Sequence, residues 1–574
     1  MNSDVIFLHA PSIYDFRNRV SFLGPISDVV PSTQVFDMYP LGFVSLSEYL
    51  SRNGYSTRIV NLAVKMLNNG DFDAEKFIRN IDPEVFCIDL HWLVHTQGSL
   101  EIARICKKYH PNTPVIFGGF TSTYFDKEIL SKFEQVDFII KGDSGELPLL
   151  RLLNILNKNK DNKKFEDIEN LTWRDKNNRV KSNSITYVPE SMDEFLHDPE
   201  FIIKSIIRSR DFEGHLPYKN WINIPIMAVL TSKGCLYNCI TCGGSAYTYK
   251  NFYCRKKPAF MSPEKIIDYL SVIESYIKCP CFFINDIRMG GNKYWRGIFE
   301  GIERERIDLP VVFELFYPGE RKFLEMMSHS CSRFDLEISP EDSSEIIRKS
   351  HGKSYSNISM EKTIKSALEL GCDKFDVFFM IGLGKQRRED VYKTLRYMEH
   401  ILNINPEKIC PFISPYAPTI DPGSLAFEKP DKYGFIIKTR MISEQYELFQ
   451  KPSWKYFFNY ETEELRVDDI IDLTYESAIR LYEIKEKYNI IDSKTVSLRR
   501  EQIEISRYVL NEIDEIITIK DENEMESKLN SLRDKISKVS ESLLCSDNDL
   551  NWPRSDTKIR NVLLKVFGKL PKLL

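Results

Sequence analysis

The chain has 574 residues, 42% apolar and 28% charged, with 78 Lys and Arg against 83 Asp and Glu for a net charge of −5. That length exceeds one core and predicts three or four folding units, while the mild acidity argues against a nucleic-acid binder. Twelve cysteines over this length exclude a disulfide scaffold. No apolar run approaches the roughly 20 residues that cross a bilayer, and "VIFLHA" is too short for a secretory signal, so the expected location is the cytoplasm.

In chain order, residues 1–155 alternate short apolar strands with helices. Strands are predicted at Val5–Ser12 (running into a loop), Ser56–Ala63, Glu84–Trp92, Pro114–Gly119 and Val136–Asp143, and helices at Gly42–Gly54 and Gly98–Pro111. The pattern predicts an α/β, doubly wound parallel sheet, Rossmann-like, whose ligands sit at the carboxyl ends of the strands. Residues 156–222 are more polar and read as a connector with a hairpin turning at Asp175–Asn178. A second series, 223–425, has strands at Ile226–Thr231, Cys281–Asn285, Val311–Phe316, Phe334–Ile338, Phe375–Ile381 and Ile409–Ile413. One of its helices starts at Ser262 as N-cap with Pro263 at N1. About six βα units predict a partial (β/α)6 barrel of the TIM type. Residues 426–574 form a mostly helical region. Its basic, amphipathic tail, Lys558–Leu574, suits core or partner packing, with peripheral membrane contact as the alternative.

The densest chemistry is "TSKGCLYNCITCGG", directly after the first strand of the second series. Cys235, Cys239 and Cys242 stand at C-x3-C-x2-C, whereas the other nine cysteines are scattered and read as small buried hydrophobes. Three thiolates on one loop can hold three irons of a cubane and leave the fourth open. Structural zinc prefers a closed tetrahedral set, which would need a fourth ligand such as Cys254.

On these residues the chain resembles the radical S-adenosylmethionine enzymes, whose signature is this spacing after the first barrel strand. The resemblance implies a 4Fe-4S cluster whose open iron is chelated by S-adenosylmethionine. It also implies reductive release of a 5′-deoxyadenosyl radical and an electron donor such as ferredoxin or flavodoxin. No catalytic residue beyond the cluster ligands is implied. In "INDIRMGG", Asn285 and Asp286 take the place of the family's acidic methionine-binding motif, without its Gly-Gly-Glu form. In "DLEISPED", Glu337 and Ser339 fall near ribose or carboxylate. In "FFMIGLGKQRREDV", Gly382 and Gly384 would let backbone approach the adenosine. Thr241 stands where an aromatic usually meets the adenine.

The first domain lacks the G-x-G-x-x-G of a dinucleotide site, since "LHAPSIYDF" contains no glycine. It resembles instead the cobalamin-binding domains fused to radical barrels. The similarity runs through Met38–Leu62 with Pro40 and Gly42, Tyr109–Thr123 with Gly118 and Gly119, and Ile139–Leu150 with Gly142 and Glu146. The glycines keep strand ends clear for a bulky corrin. "DLHWLVH" matches half of a cobalt-ligating D-x-H-x-x-G pattern. His91 and Trp92 are therefore expected on the corrin face, with His9 equally open to that role.

Together these resemblances imply a class B-like, cobalamin-dependent radical methyltransferase. It would use 4Fe-4S, S-adenosylmethionine and cobalamin to methylate an unactivated carbon of a small-molecule, lipid or peptide substrate. The alternatives are a cyclisation, ring contraction or oxidation without methyl transfer, and a non-catalytic metal or cobalamin-binding module. "PFISPYAPTIDPGSLAF" (Pro411–Phe427) reads as a stiff loop that could close the barrel. The aromatic run Gln450–Thr462 reads as core packing, with lining of a substrate site as the alternative.

Overall fold

The two series of apolar strands pair only within themselves, so two parallel sheets result. The computed structural model describes residues 3–25, 33–157, 164–195, 199–416 and 418–539. In the first sheet β1 (Val5–His9), β2 (Thr57–Asn61), β3 (Val85–Asp89), β4 (Val115–Gly118) and β5 (Phe138–Ile140) are parallel, in the order 2-1-3-4-5. Every residue of β1 and β3 is buried, as parallel strands covered on both faces require. Alternation sends Ile6, Leu8, Phe86 and Ile88 toward the helix Thr96–Tyr109. It sends Phe7, Cys87 and Ile116 toward the helices Gly42–Arg52 and Glu146–Asn157. Strand order reverses between β1 and β3, which opens a crevice at their carboxyl ends.

The connector hairpin forms where expected. β6 (Leu171–Arg174) and β7 (Val180–Ser182) turn at Asp175, whose Oδ1 accepts from Asn177 N (2.8 Å) and Arg179 N (3.0 Å). β6 pairs antiparallel with β5, so this part of the connector extends the first sheet to seven strands and covers its edge.

The second sheet contains β8 (Met227–Leu230), which leads into the short antiparallel pair β9 (Ser232–Lys233) and β10 (Ala259–Phe260). β11 (Cys281–Ile284), β12 (Val311–Leu315), β13 (Phe334–Glu341), β14 (Phe375–Ile381) and β15 (Ile409–Pro415) follow, all parallel, in the order 8-11-12-13-14-15. β8 and β15 form the two edges and do not pair, so the six βα units make an open barrel. Phe283, Phe313, Leu336 and Val377 pack against the outer helices. The same alternation puts Phe282, Val312, Glu314, Glu337 and Asp376 on the inner face. The helix Pro263–Tyr276 has its proline at N1, but Ser262 makes no side-chain cap bond; its N–H is held instead by Asp193 Oδ1 at 2.6 Å.

In the C-terminal region the antiparallel pair β16 (Phe435–Ile437) and β17 (Tyr460–Thr462) precedes the long helices Val467–Lys487 and Ser493–Ile516. The first of these helices packs on β15. Trp454, Phe457, Phe458 and Tyr460 are buried in the main core, as the packing reading of that aromatic run expects. The basic stretch Lys558–Leu574 lies outside the described residues. No described helix is long and apolar enough to cross a membrane.

Candidate functional site

The three-cysteine loop hangs between β9 and β10. It leaves β9 through Gly234 at φ +102°, where a Cβ would lie 2.9 Å from Arg255 Cδ. Backbone N–H groups point at two of its sulfurs: Tyr237 N at Cys235 Sγ (3.4 Å) and Gly244 N at Cys242 Sγ (3.2 Å). Burial pushes the Cys235 thiol up to about 11 and raises Cys239 and Cys242 as well. Thiolates here therefore call for a bound cation, which coordinating iron supplies. Among the described residues no three His, Cys, Asp or Glu side chains gather about a single ion, and Cys254 is exposed. Three thiolates on one loop suit a cubane with one open iron better than a closed tetrahedral zinc set.

Later segments pin the loop's second half. Ile240 N donates to His351 O (3.3 Å), Ala426 N to Ile240 O (2.8 Å), Tyr416 Oη to Thr241 O (2.9 Å) and Gly243 N to Asp421 Oδ2 (2.9 Å). Burial lifts Asp421 to about 6 against that last bond. Tyr416, Asp421 and Ala426 thus buttress the cysteine loop. Thr241 is buried beneath it.

At the barrel mouth, Asn285 (φ +72°) donates Nδ2 to Ser232 O (2.9 Å) and its N–H to Glu314 Oε2 (3.2 Å). Asp286 is buried and committed internally: Oδ1 accepts from Arg288 Nε (2.8 Å), and Oδ2 from Arg288 Nη2 (2.5 Å) and Phe316 N (2.9 Å). Glu337 is buried in register between Glu314 and Asp376. Ser339 offers its carbonyl to Lys353 Nζ, which also pairs with Glu341 at 2.6 Å. Burial lifts Glu314 to about 7, opposed by the Asn285 N–H and by Lys353. Gly382 and Gly384 have internal reasons to lack side chains: a Cβ would meet Tyr460 Oη at 2.8 Å and Tyr433 O at 2.0 Å respectively. Glu314, Glu341 and Lys353 were not singled out from the sequence. The one available signal was an acid inside the apolar run "VVFEL".

The carboxyl ends of β3, β4 and β5, with Phe7 of β1, border a cavity of about 720 Å3. Pro40, Gly42, His91, Gly118, Gly119, Gly142 and Glu146 all line it, and it reaches Lys233 and Asn285 at the barrel mouth. Asp286, Glu337, Ser339, Gly382 and Gly384 are not in its wall. A corrin fits this site on two observations. A Cβ on Gly42 would meet nothing within 4 Å, which leaves an open cradle. Asp89 Oδ2 and Glu146 Oε2 are buried at the wall without a hydrogen-bond partner, ready to accept from amide groups on a corrin rim.

Gly119 (φ +114°) allows the β4 turn to press on β3: a Cβ there would fall 2.6 Å from His91 Cα. His91 and Trp92 both face the cavity, as expected. His9 lies beneath it, bonding Asp89 Oδ1 through Nδ1 (2.9 Å) and donating Nε2 to Phe36 O (3.2 Å). Burial opposes charge on His9, but Asp89 outweighs it and raises His9 while Asp89 falls; His91 and His95 are lowered by burial to about 4.

The two sites are joined by buried contacts. Arg255 forks onto Asp143 (Nη2 to Oδ1, 3.1 Å, with Nε on Oδ2) and donates Nη1 to Pro189 O (2.8 Å). Lys233 reaches Ser144 Oγ (3.1 Å) and Glu146 Oε1 (3.4 Å), the latter also held by Ser45 Oγ at 2.7 Å. His91, Phe120 and Tyr253 form a ring stack with centroid separations of 4.5 and 4.4 Å.

Residues 28–151 match the B12 binding domain family. An uncharacterized methyltransferase of Pyrococcus horikoshii, PH0819, is 23% identical over 365 residues, covering 63% of this chain and 73% of that protein. The cobalamin-dependent S-adenosylmethionine radical enzyme OxsB, solved with aqua-cobalamin, superposes with a TM-score of 0.57 at 14% identity over 100% of this chain and 80% of its own. The radical S-adenosylmethionine methyltransferase TsrM from Kitasatospora setae, solved with cobalamin and a [4Fe-4S] cluster, gives 0.53 at 13% identity over 77% and 81%. The chain thus carries a B12 binding domain and has, over its length, the fold of the cobalamin-dependent radical S-adenosylmethionine enzymes.

Proposed function

We propose that the protein is a radical S-adenosylmethionine enzyme that uses a 4Fe-4S cluster and cobalamin to methylate an unactivated carbon. One observation carries the reading: a single cavity runs from the glycine turns of the B12 binding domain to Lys233 and Asn285, beside the three-cysteine loop. When bound, the cluster with S-adenosylmethionine supplies a 5′-deoxyadenosyl radical, and the corrin supplies a transferable methyl group.

The chain's own residues bind and orient. Cys235, Cys239 and Cys242 would hold three irons of the cluster and leave the fourth for S-adenosylmethionine. Glu314, raised by burial and lowered by the Asn285 N–H and Lys353, would hold the ammonium, and Lys353, near Cys239, would hold the carboxylate. Asn285 positions Glu314 through its N–H. The Arg255–Asp143 and Lys233–Glu146 contacts fix the two binding regions relative to each other and exclude water between them. The relatives named as methyltransferases, with a B12 binding domain in this chain, support methyl transfer over other radical outcomes.

The test is anaerobic reconstitution with iron, sulfide and cobalamin, followed by methyl-deuterated S-adenosylmethionine and a reductant. Formation of 5′-deoxyadenosine together with S-adenosylhomocysteine supports the assignment. 5′-Deoxyadenosine with no labelled methyl leaving S-adenosylmethionine would support cyclisation or oxidation. Neither product would sink the enzyme reading.

A further inference from the structure

Beyond the glycine turns, the cavity continues along the edge strand of the barrel. Ile226, Ala228, Leu230 and Ser232, alternate residues leading through β8 into β9, all line it, flanked by Phe282 and Ile284 of β11. At about 3.3 Å per residue, that wall is about 20 Å long. One end lies at Lys233 and Asn285, beside the three-cysteine loop, and the other at Trp221 and Ile277.

The connector supplies a second wall. The helix Pro199–Ser209 packs on β2 and on the helix Pro263–Tyr276, with Arg208 Nη2 donating to Thr57 O (2.9 Å). Its Ile202, Ile203, Ile206 and Ile207 form one stripe at helical spacing, and all four line the cavity. Ile203, Ile206 and Ile207 are only half-buried and join none of the hydrophobic cores among the described residues. Apolar area so placed stays unburied unless something fills the space. Phe212 also lines the cavity and is exposed, so the apolar wall reaches the surface.

Four polar side chains at this end are already engaged. Tyr218 Oη donates to Ile224 O (2.5 Å), Trp221 Nε1 to Ile226 O (3.0 Å) and Tyr269 Oη to Ala228 O (3.3 Å). His215 donates Nδ1 to Asp211 O (2.7 Å), and its Nε2 meets Ser205 Oγ (3.1 Å). The strand-end side differs, since Asp89 Oδ2 and Glu146 Oε2 stand there without partners. A corrin rim, with its many amides, suits that side; along β8 the amides would be buried unpaired at a cost. A hydrocarbon has no such groups to strand.

We infer that this arm of the cavity takes a long hydrocarbon chain of the substrate, which lies along β8 with the reacting carbon at the Lys233–Asn285 end. The inference rests on the proposed methyl transfer, which needs that carbon between the cysteine loop and the corrin. Burial alone holds the chain, and no bond is made or broken along it.

The experiment uses the full chain loaded with cobalamin, so that the corrin side is occupied. Radiolabelled octanoate, decanoate, dodecanoate and tetradecanoate are the probes, and binding is measured by equilibrium dialysis. Two variants are compared with the wild type: I206W, which plugs the arm with apolar bulk, and I203N/I207N, which puts polar groups on its wall. Wild-type affinity should rise about fourfold per added methylene. In I206W the dodecanoate Kd should rise about tenfold or more, and in I203N/I207N the gain per methylene should flatten. Cobalamin uptake, followed by absorbance, should be the same in all three proteins. Equal affinity of the wild type for octanoate and tetradecanoate overturns the inference, whatever the variants do. So does unchanged binding in both variants, and so does loss of dodecanoate binding on loading cobalamin, which would give the whole cavity to the corrin. Absence of 5′-deoxyadenosine from reconstituted wild type with dithionite overturns the radical reading, and the substrate role with it, even where the chain-length dependence holds.

Discussion

Replacing Gly352 with alanine should disable the cluster loop while leaving the fold standing. Gly352 has φ +92°, so any side chain there costs about 1–2 kcal/mol in backbone strain. A Cβ would also lie 2.4 Å from Asn238 O, and that neighbour is backbone, with no rotamer to give way. Restoring an ordinary C···O contact of about 3.3 Å requires the Asn238 peptide to retreat by about 1 Å. That peptide leads directly into Cys239. A displacement of that size at a reacting centre can cost on the order of 10²-fold in rate. Gly371 supplies the control: φ is +95°, and nothing lies within 4 Å of its Cβ position, so G371A carries the strain without the clash. Both variants should lose about 1–2 kcal/mol of stability from strain. Only G352A should lose iron and sulfide after anaerobic reconstitution, with 5′-deoxyadenosine formation down about 100-fold. The assays are iron and sulfide content, the electron paramagnetic resonance signal of the reduced cluster, and dithionite-driven turnover. If G352A matched G371A in iron content and turnover, the supposed support of Cys239 by this turn would be wrong.

Four other outcomes are expected. Removing one partner of the Arg255–Asp143 pair, whose side chains are 3% and 2% exposed, strands a buried charge; R255A should cost about 3–5 kcal/mol in urea melts, and a double-mutant cycle with D143A should recover much of it. G42L fills the open cradle from a helix N-terminus that tolerates a side chain; corrin binding followed by absorbance should weaken at least 100-fold with melting unchanged. His9 is raised, so its contribution is full below its ordinary 6.5 and lost as pH climbs through its higher folded value. His91 and His95, lowered to about 4, take stability away as pH falls from 6.5 toward 4. Urea melts from pH 4 to 9 should therefore peak near 6.5, and H9Q should flatten the alkaline limb. Finally, E314Q should weaken S-adenosylmethionine binding about tenfold by calorimetry, because a neutral amide replaces the charge facing the ammonium; unchanged affinity would remove Glu314 from the site.

Much of the architecture was legible because its signals are local. Eleven expected parallel strands recur within a few residues of their predicted limits, since an apolar run bounded by turn residues fixes a buried strand without help from distant segments. Seven residues picked from four short patterns around the first sheet all line one cavity. The cause is topological: in a doubly wound sheet the loops after successive strands open on the same edge. Residues at the barrel mouth were harder to read. Asp286 looked like a free acceptor, yet Arg288, only two positions on, folds back to take both of its oxygens. Glu314 and Lys353 belong to no pattern, and their relation depends on how β12 and the loop after β13 meet in space.

By itself, the sequence determined the chemistry on offer: three crowded thiols able to hold iron, glycine-kept strand ends able to admit a corrin, and two βα series to carry them. Those depend on residue type and spacing within one segment. Tertiary structure alone decided how the two sites join. Arg255 meets Asp143, Lys233 meets Glu146, and His351–Gly352 supports Cys239 across separations of about a hundred residues. Contacts at such separation are selected by mutual burial and pairing of charges, which no local pattern records.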